Sequence, residues 1–446
     1  MVAVSLLDIP PEILLQIAGF AQTGQALKAL SVTSRSLRSI AQSVLFEKFS
    51  IDLGKDLRGS IDDLLANPRI CAAIRFLELR GLHLMNPRPL HIEKEKLSLI
   101  KRILPDMVGL RKVSISQVIL SKVFLEAFLG IATNIPLQIN LGWNICPPNI
   151  YLTPDTPLQI SHLQISHLHW AAIHPPSLEF YRLMLHASAT ALTGLDMRAD
   201  GDGLMKLADI ELPFLHDLTL LITIENEVSR TSAATFITAQ RTIRKLDLRG
   251  KVHPLLIPSD ALPDLRELNA TTELVNQLVP GRPVEAIEVT SSTVCDQHWF
   301  GEEVARSTAR VRNLRVHLDT AILETRMVRR MVSILPALES LWLPVFDNVS
   351  GHFTRLPRLI LLQALLHVVE VLTPLKCLNN LRFDLSRSEI RLNHDANGIA
   401  TKLRNANSCF SYLEIREFGA SAWKNTTSVW NEVFGVFHHI ESVVAY

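Results

Sequence analysis

One short pattern recurs along most of this chain and constrains its fold more than any other feature. It is an apolar residue, two variable ones, then two apolar residues separated by one, as in L-x-x-L-x-L. Ten copies are recognisable: Ile74–Leu79, Leu110–Ile115, Leu192–Met197, Leu215–Leu220, Ile243–Leu248, Leu265–Leu268, Val311–Val316, Leu338–Leu343, Leu378–Phe383 and Phe410–Ile415. The closing alternation places its apolar residues on one side of a short strand. Between copies lie stretches with helical spacing, such as Leu99, Ile100, Ile103 and Leu104, or Met327, Met331, Ile334 and Leu335. A single helix-plus-strand unit cannot bury its own apolar face, but units of roughly 20 to 40 residues can stack and bury one another's. The chain is therefore expected to be an α/β solenoid.

A doubly wound α/β domain has the same alternation of strands and helices, but it predicts a glycine-rich phosphate loop after one strand. The chain has 18 glycines and contains neither G-x-G-x-x-G nor G-x-x-x-x-G-K-[ST]. The pattern resembles that of leucine-rich repeats, with one departure: the Asn or Cys that follows the strand in that family is missing from most copies. The resemblance implies an irregular leucine-rich-repeat-like solenoid with a parallel sheet on its concave side, assigned to residues 60–446. Two segments are expected to be loops. Ile139–Ile160 holds Pro147, Pro148, Pro154 and Pro157, and Asn393–Gly398 is polar and ends in glycine.

The first fifty residues are organised differently. Pro10 and Pro11 fit the start of a helix, and Glu12 complements its dipole. Ile13, Leu14, Ile17 and Ala21 follow at helical spacing until Gly24 breaks the helix. Thr23 can cap a second helix carrying Leu27 and Leu30. Thr33 or Ser34 can cap a third with Leu37, Ile40, Ala41, Val44 and Leu45. Three helices in about forty residues bury too little surface to stand alone, so this unit must dock on the rest of the chain or on another protein.

The residues Ile9-Pro10-Pro11-Glu12-Ile13-Leu14, Leu27-Lys28-Ala29-Leu30, Val32-Thr33-Ser34-Arg35-Ser36-Leu37-Arg38 and Leu45-Phe46 resemble the F-box. Ile9 stands where leucine is usual, and one extra small residue separates Val32 from Arg35. The resemblance covers residues 5–52 and implies a three-helix F-box that packs on a Skp-type adaptor, itself linked to a cullin–RING ubiquitin ligase. Pro10, Ile13, Leu14, Ile17, Leu30, Val32, Leu37 and Leu45 would form the docking surface or its immediate support. The alternative is a helical cap on the following domain, with the same residues as internal core. The strand expected at Phe49–Leu53 and the amphipathic stretch Ile61–Leu65 leave only Gly54–Gly59 as connection, which predicts little hinge freedom between the two parts.

Lysine plus arginine number 45 against 44 aspartates and glutamates, so no global electrostatic footprint of a nucleic-acid binder exists. Five scattered cysteines, Cys71, Cys146, Cys295, Cys377 and Cys409, form no C-x-x-C pair and suit a reducing compartment, cytoplasmic or nuclear. The apolar run Leu356–Leu375 is interrupted by Arg358, Gln363, His367 and Glu370, too often for a membrane span. His162, His167, His169 and His174 match no metal-ligand spacing and read as alternate strand positions. No nucleophile elbow is present, and Cys295-Asp296-Gln297-His298 has no recognisable base–nucleophile arrangement. Arg310, Arg312 and Arg315, and Arg326, Arg329 and Arg330, read as solvated helix faces because Glu302, Glu303 and Glu324 lie beside them. The six tryptophans are interface anchors where exposed and core elsewhere.

The expectation is a non-catalytic substrate-recognition subunit of a Skp–cullin–F-box ubiquitin ligase, without metal or cofactor. It would bind the adaptor through the F-box and a client protein through the repeats. A non-degradative interaction scaffold and a ligand-sensing repeat protein, with a small molecule completing the client site, are the alternatives.

Overall fold

The structure is a computed structural model. It describes residues 10–20, 24–33, 35–81, 90–91, 94–116, 118–119, 137–142, 157–168, 175–223, 227–251, 255–290, 302–316, 325–345, 358–386, 393–418, 425–433 and 436–444. The chain forms two compact units, Met1–Leu215 and His216–Tyr446.

The first unit begins with three helices, α1 (Pro11–Phe20), α2 (Gly24–Thr33) and α3 (Arg35–Leu45). The Pro10 carbonyl accepts the amides of Ile13 and Leu14, so the two prolines start the helix as their missing N–H groups allow. Leu14 and Ala18 from α1, Leu27 from α2, and Leu37 and Ala41 from α3 are buried, each helix contributing one stripe. Helix α3 packs against both α1 and α2. Arg38 Nε donates to the Ser31 carbonyl at 2.9 Å and ties α3 to α2.

The strand β1 (Lys48–Asp52) follows directly, then α4 (Arg58–Leu65), α5 (Pro68–Ala73), β2 (Phe76–Arg80), the short β3 (Leu90–His91), α6 (Lys94–Ile103), β4 (Lys112–Ser116), the short β5 (Val118–Ile119), β6 (Leu137–Gly142) and β7 (Ile160–Leu168). Helix Pro175–Ser188, β8 (Gly194–Asp200) and helix Gly201–Leu207 complete the unit. Its main sheet runs β1-β2-β4-β6-β7-β8 with every pairing parallel, while β3 and β5 form a separate parallel pair.

The second unit continues the pattern: β9 (Asp217–Thr223), β10 (Lys245–Lys251), β11 (Glu267–Ala270), β12 (Ala286–Val289), β13 (Asn313–Val316), β14 (Ser340–Val345), β15 (Asn380–Ser386) and β16 (Tyr412–Phe418), all parallel in sequence order. Then β17 (Asn425–Val433) and β18 (Val436–Val444) add antiparallel. Helices Glu227–Ala239, Thr272–Leu278, Thr325–Ile334, Arg358–Leu372 and Asn393–Ala406 connect successive strands. Among the described strands of each unit the order does not reverse, which is the solenoid-like rather than the doubly wound arrangement.

Register explains the repeat. Leu218, Leu246, Leu268, Ile287, Leu314, Leu341, Leu381 and Leu413 stand side by side across eight strands, each at most 2% exposed. The first unit has the same row in Leu77, Val113, Ile139, Leu163 and Leu195. The leading apolar residue of each copy, such as Leu215, Ile243 or Phe410, is buried just before the strand. Each such side chain contributes about 1.5–3 kcal/mol, so the rows dominate the stability of the stack.

Two expected loops are corrected in part. Residues Ile139–Gly142 belong to β6, because Leu137, Ile139 and Leu141 alternate and are buried against the neighbouring strands; 143–156 lie outside the described residues. Asn393–Gly398 is the start of a helix rather than a loop, held by buried Ile399, Ala400 and Leu403. Gly398 is exposed with open space around it and is tolerated there. The expected strand at Phe49–Leu53 and helix at Ile61–Leu65 are present one to a few residues displaced. No helix among the described residues is long and apolar enough to cross a membrane.

Candidate protein-interaction surfaces

The eight residues singled out in the first three helices divide by helical phase. Leu14 and Leu37 are 6% and 7% exposed and belong to the small core. Pro10 is exposed, Ile13 is 44% exposed and Val32 74%. Leu30 and Leu45 are half-buried. Ile17 is part of α1, with its side chain outside those described. Leu14 and Leu37 are thus support, and Pro10, Ile13 and Val32 are what a partner would meet. Leu15, 46% exposed, joins them and was not singled out by sequence reasoning, because it lies off the apolar stripe. Large apolar side chains on so small a unit are a candidate contact surface.

This unit is fixed to the sheet. Helix α3 packs against α5. The Glu47 carbonyl, two residues beyond α3, accepts the amides of both Arg75 and Phe76 at 2.9 Å, and β1 then pairs in register with β2.

The second surface is the polar side of the strands, opposite the buried rows. In the second unit the positions Asp247, Asn269, Glu288, Arg315, Trp342, Arg382 and Glu414 are successive partners across seven strands. At its centre the Trp342 indole is flanked by two guanidinium groups, Arg315 at 3.0 Å and Arg382 at 3.6 Å from the ring centroid. Arg315 pairs with Glu288 at 3.0 Å and Arg382 with Glu414 at 3.7 Å, while the Tyr412 hydroxyl donates to Glu414 at 3.1 Å. Each of the two arginines is thus paired with a carboxylate on its outer side and stacked on the indole on its inner side. Asp247 accepts three hydrogen bonds from Arg249, two from Nε at 3.0 Å and one from Nη2 at 2.6 Å.

The corresponding row of the first unit is Ser50, Glu78, Ser114, Asn140, Gln164 and Asp196. Burial works to raise the Glu78 carboxyl, but the hydrogen bond and charge of Arg80, with Lys48, outweigh it and hold the group below its ordinary value. Gln164 donates to Asp196 at 3.0 Å.

Arg315 is therefore not on a solvated helix face: it lies on β13, paired and stacked, because the Val311–Val316 copy is a strand. Arg329 and Arg330 do sit exposed on a helix. His162 and His167 lie on β7, and His169 and His174 are outside the described residues. Of the tryptophans only Trp342 has a described side chain; it is half-buried rather than core. Burial, with Asp106 nearby, pushes the Cys71 thiol up, which disfavours the reactive thiolate. Among the described residues no cluster of three His, Cys, Asp or Glu is placed to hold a metal ion. In comparisons with known proteins, the chain matches no family model and no curated protein.

Proposed function

We propose that the protein is a substrate-recognition subunit of a Skp–cullin–F-box type ubiquitin ligase, in which the three N-terminal helices bind a Skp-type adaptor and the strand face binds a client. The observation that carries the reading is the small helical unit with Pro10, Ile13 and Val32 facing outward, coupled through Glu47 and β1 to a repeat sheet. Its apolar exterior supports docking, and the F-box resemblance of Ile9–Phe46 supplies the partner. The strand face, with the Arg315–Trp342–Arg382 stack, offers the kind of pre-organised aromatic and arginine surface that dominates binding energy at interfaces. The protein would form no bond itself. It would hold the client close to the ubiquitin-charged enzyme, raising effective concentration.

The test is co-purification of the full chain with a Skp-type adaptor. Ile13→Asp combined with Val32→Asp is the informative variant, since both side chains are exposed and the helices should remain folded by circular dichroism. Leu14→Asp would disrupt the core and is unsuitable. A stoichiometric complex abolished by the double variant is expected. Failure of the wild type to form a complex favours the second reading, a helical cap, for which the packing of α3 on α5 is the supporting observation.

A further inference from the structure

Among the described residues strand β1 is the terminal strand of its sheet, bonded to β2 on one side only. Its polarity follows from the neighbouring bonds. The Glu47 carbonyl accepts from Arg75 and Phe76, and the Leu53 amide donates to the Arg80 carbonyl at 2.8 Å, so the odd-numbered residues bond to β2. In a parallel ladder the intervening residues then point their amides and carbonyls the other way. Lys48, Ser50 and Asp52 therefore present backbone groups outward; the Asp52 carbonyl accepts the Lys55 amide, whereas among the described residues the Ser50 amide and carbonyl have no backbone partner in a turn or neighbouring strand.

Beside this edge lies a groove of about 610 Å³ between β1, α4 and α5. Its apolar lining includes Phe46, Phe49, Leu57, Leu64 and Ile70, and among the described residues that line it Asp52, Asp56 and Asp63 stand against one cation, Lys55. Lys55 already pairs with Asp52 at 3.4 Å. Three carboxylates against one ammonium leave the groove acidic.

We propose that the outer edge of β1 and this groove take an extended, basic peptide segment of a partner protein as an added strand. The Ser50 amide and carbonyl supply the main-chain hydrogen bonds, alternate side chains of the peptide enter the apolar groove, and its lysines or arginines meet Asp56 and Asp63. Charged residues on an edge also guard against indiscriminate pairing, but a guard alone needs no apolar groove beside it. The inference is independent of the adaptor reading.

The test uses the full chain and a fluorescein-labelled nonapeptide of alternating valine and lysine, with a valine–glutamate peptide of equal length, followed by fluorescence anisotropy. The basic peptide is expected to bind, more weakly as salt rises, and the acidic one not to. Ser50→Pro, which removes an outward amide at an edge position where proline is tolerated, should weaken binding about tenfold. Asp56→Asn with Asp63→Asn should weaken it and flatten the salt dependence. A basic peptide N-methylated on alternate valines probes the same hydrogen bonds without altering the protein, and its binding should fall in parallel. Undiminished binding of the N-methylated peptide, equal binding of the acidic one, or no binding of the basic one would overturn the proposal. So would a wild-type dimer that Ser50→Pro converts to monomer, since the edge would then serve a second copy of the chain.

Discussion

Replacing Arg282 with methionine should be among the most damaging single changes in the second unit, although the residue sits between Gly281 and Pro283 and reads as a surface turn. Its side chain is 1% exposed. Nε donates to the Ala261 carbonyl at 2.7 Å, Nη1 to Leu278 at 2.8 Å and Nη2 to Pro258 at 2.7 Å, with longer contacts from Nη1 to Gln277 and Pro280. Burial lowers its pKa, and the charge of Asp260 works against that shift. The guanidinium thus closes the C-terminal end of helix Thr272–Leu278 and holds the loop before β11, where Leu262 has a φ of 57°. Three short bonds to a charged donor are worth roughly 1.5–3 kcal/mol each. Removing the buried charge recovers several kcal/mol of desolvation, and the methionine stem keeps much of the packing. The net loss is about 3 kcal/mol, or roughly 6–12 °C in melting temperature for a unit of this size. Scanning calorimetry of the full chain measures it. Arg282→Lys keeps the charge but has one ammonium for carbonyls fixed in a fork, so it should fare no better than methionine. A methionine variant melting within about 2 °C of wild type, or a lysine variant restored to wild-type stability, would refute the reasoning.

Gly250→Ala should cost about 3 kcal/mol, read as a lowered urea midpoint. Its φ is +100° and a Cβ there would lie 2.3 Å from the Ile222 carbonyl oxygen, backbone that cannot give way. Glu78 titrates below its ordinary value in the folded chain, so its contribution is present above the unfolded pKa and is lost as pH falls through the folded one. Glu78→Gln should therefore flatten the acid limb of the melting curve between about pH 5 and pH 3; an unchanged limb would contradict the ion pairs with Lys48 and Arg80. Native alkylation should label exposed Cys377 and Cys409 and spare buried Cys71 until unfolding, as mass spectrometry of peptides would show.

What the sequence revealed was the row of buried residues, because leucine in L-x-x-L-x-L has one role repeated in every copy. The same rule hid part of the sheet. Val284, Ile287 and Val289 repeat the spacing into β12 without a leucine, and they escaped because the structure requires an apolar shape there and not leucine itself. The eight apolar residues singled out in the first three helices were legible as a set but not by orientation. Ile13 and Leu14 are neighbours, and which of them faces inward depends on where α3 packs, a fact absent from the local pattern. Arg315, Trp342 and Arg382 are far apart in sequence, and only parallel register makes them adjacent. Arg282 gave no signal at all, since its partners at Pro258 and Ala261 come from another turn of the solenoid.

The reversal of direction at β17 and β18 has a consequence for how such a chain can lengthen. A parallel strand can always accept one more parallel repeat beside it, because each repeat presents the same register to the next. The outer side of β16 is instead occupied by β17, running the opposite way from Tyr412↔Asn431 to Phe418↔Asn425, with β18 beyond it. A helix-plus-strand unit inserted after β16 would have to displace this hairpin, whereas one inserted between two parallel strands would meet matching leucine rows on both sides. Gene duplication should therefore expand this array from within, leaving the hairpin to travel at its end.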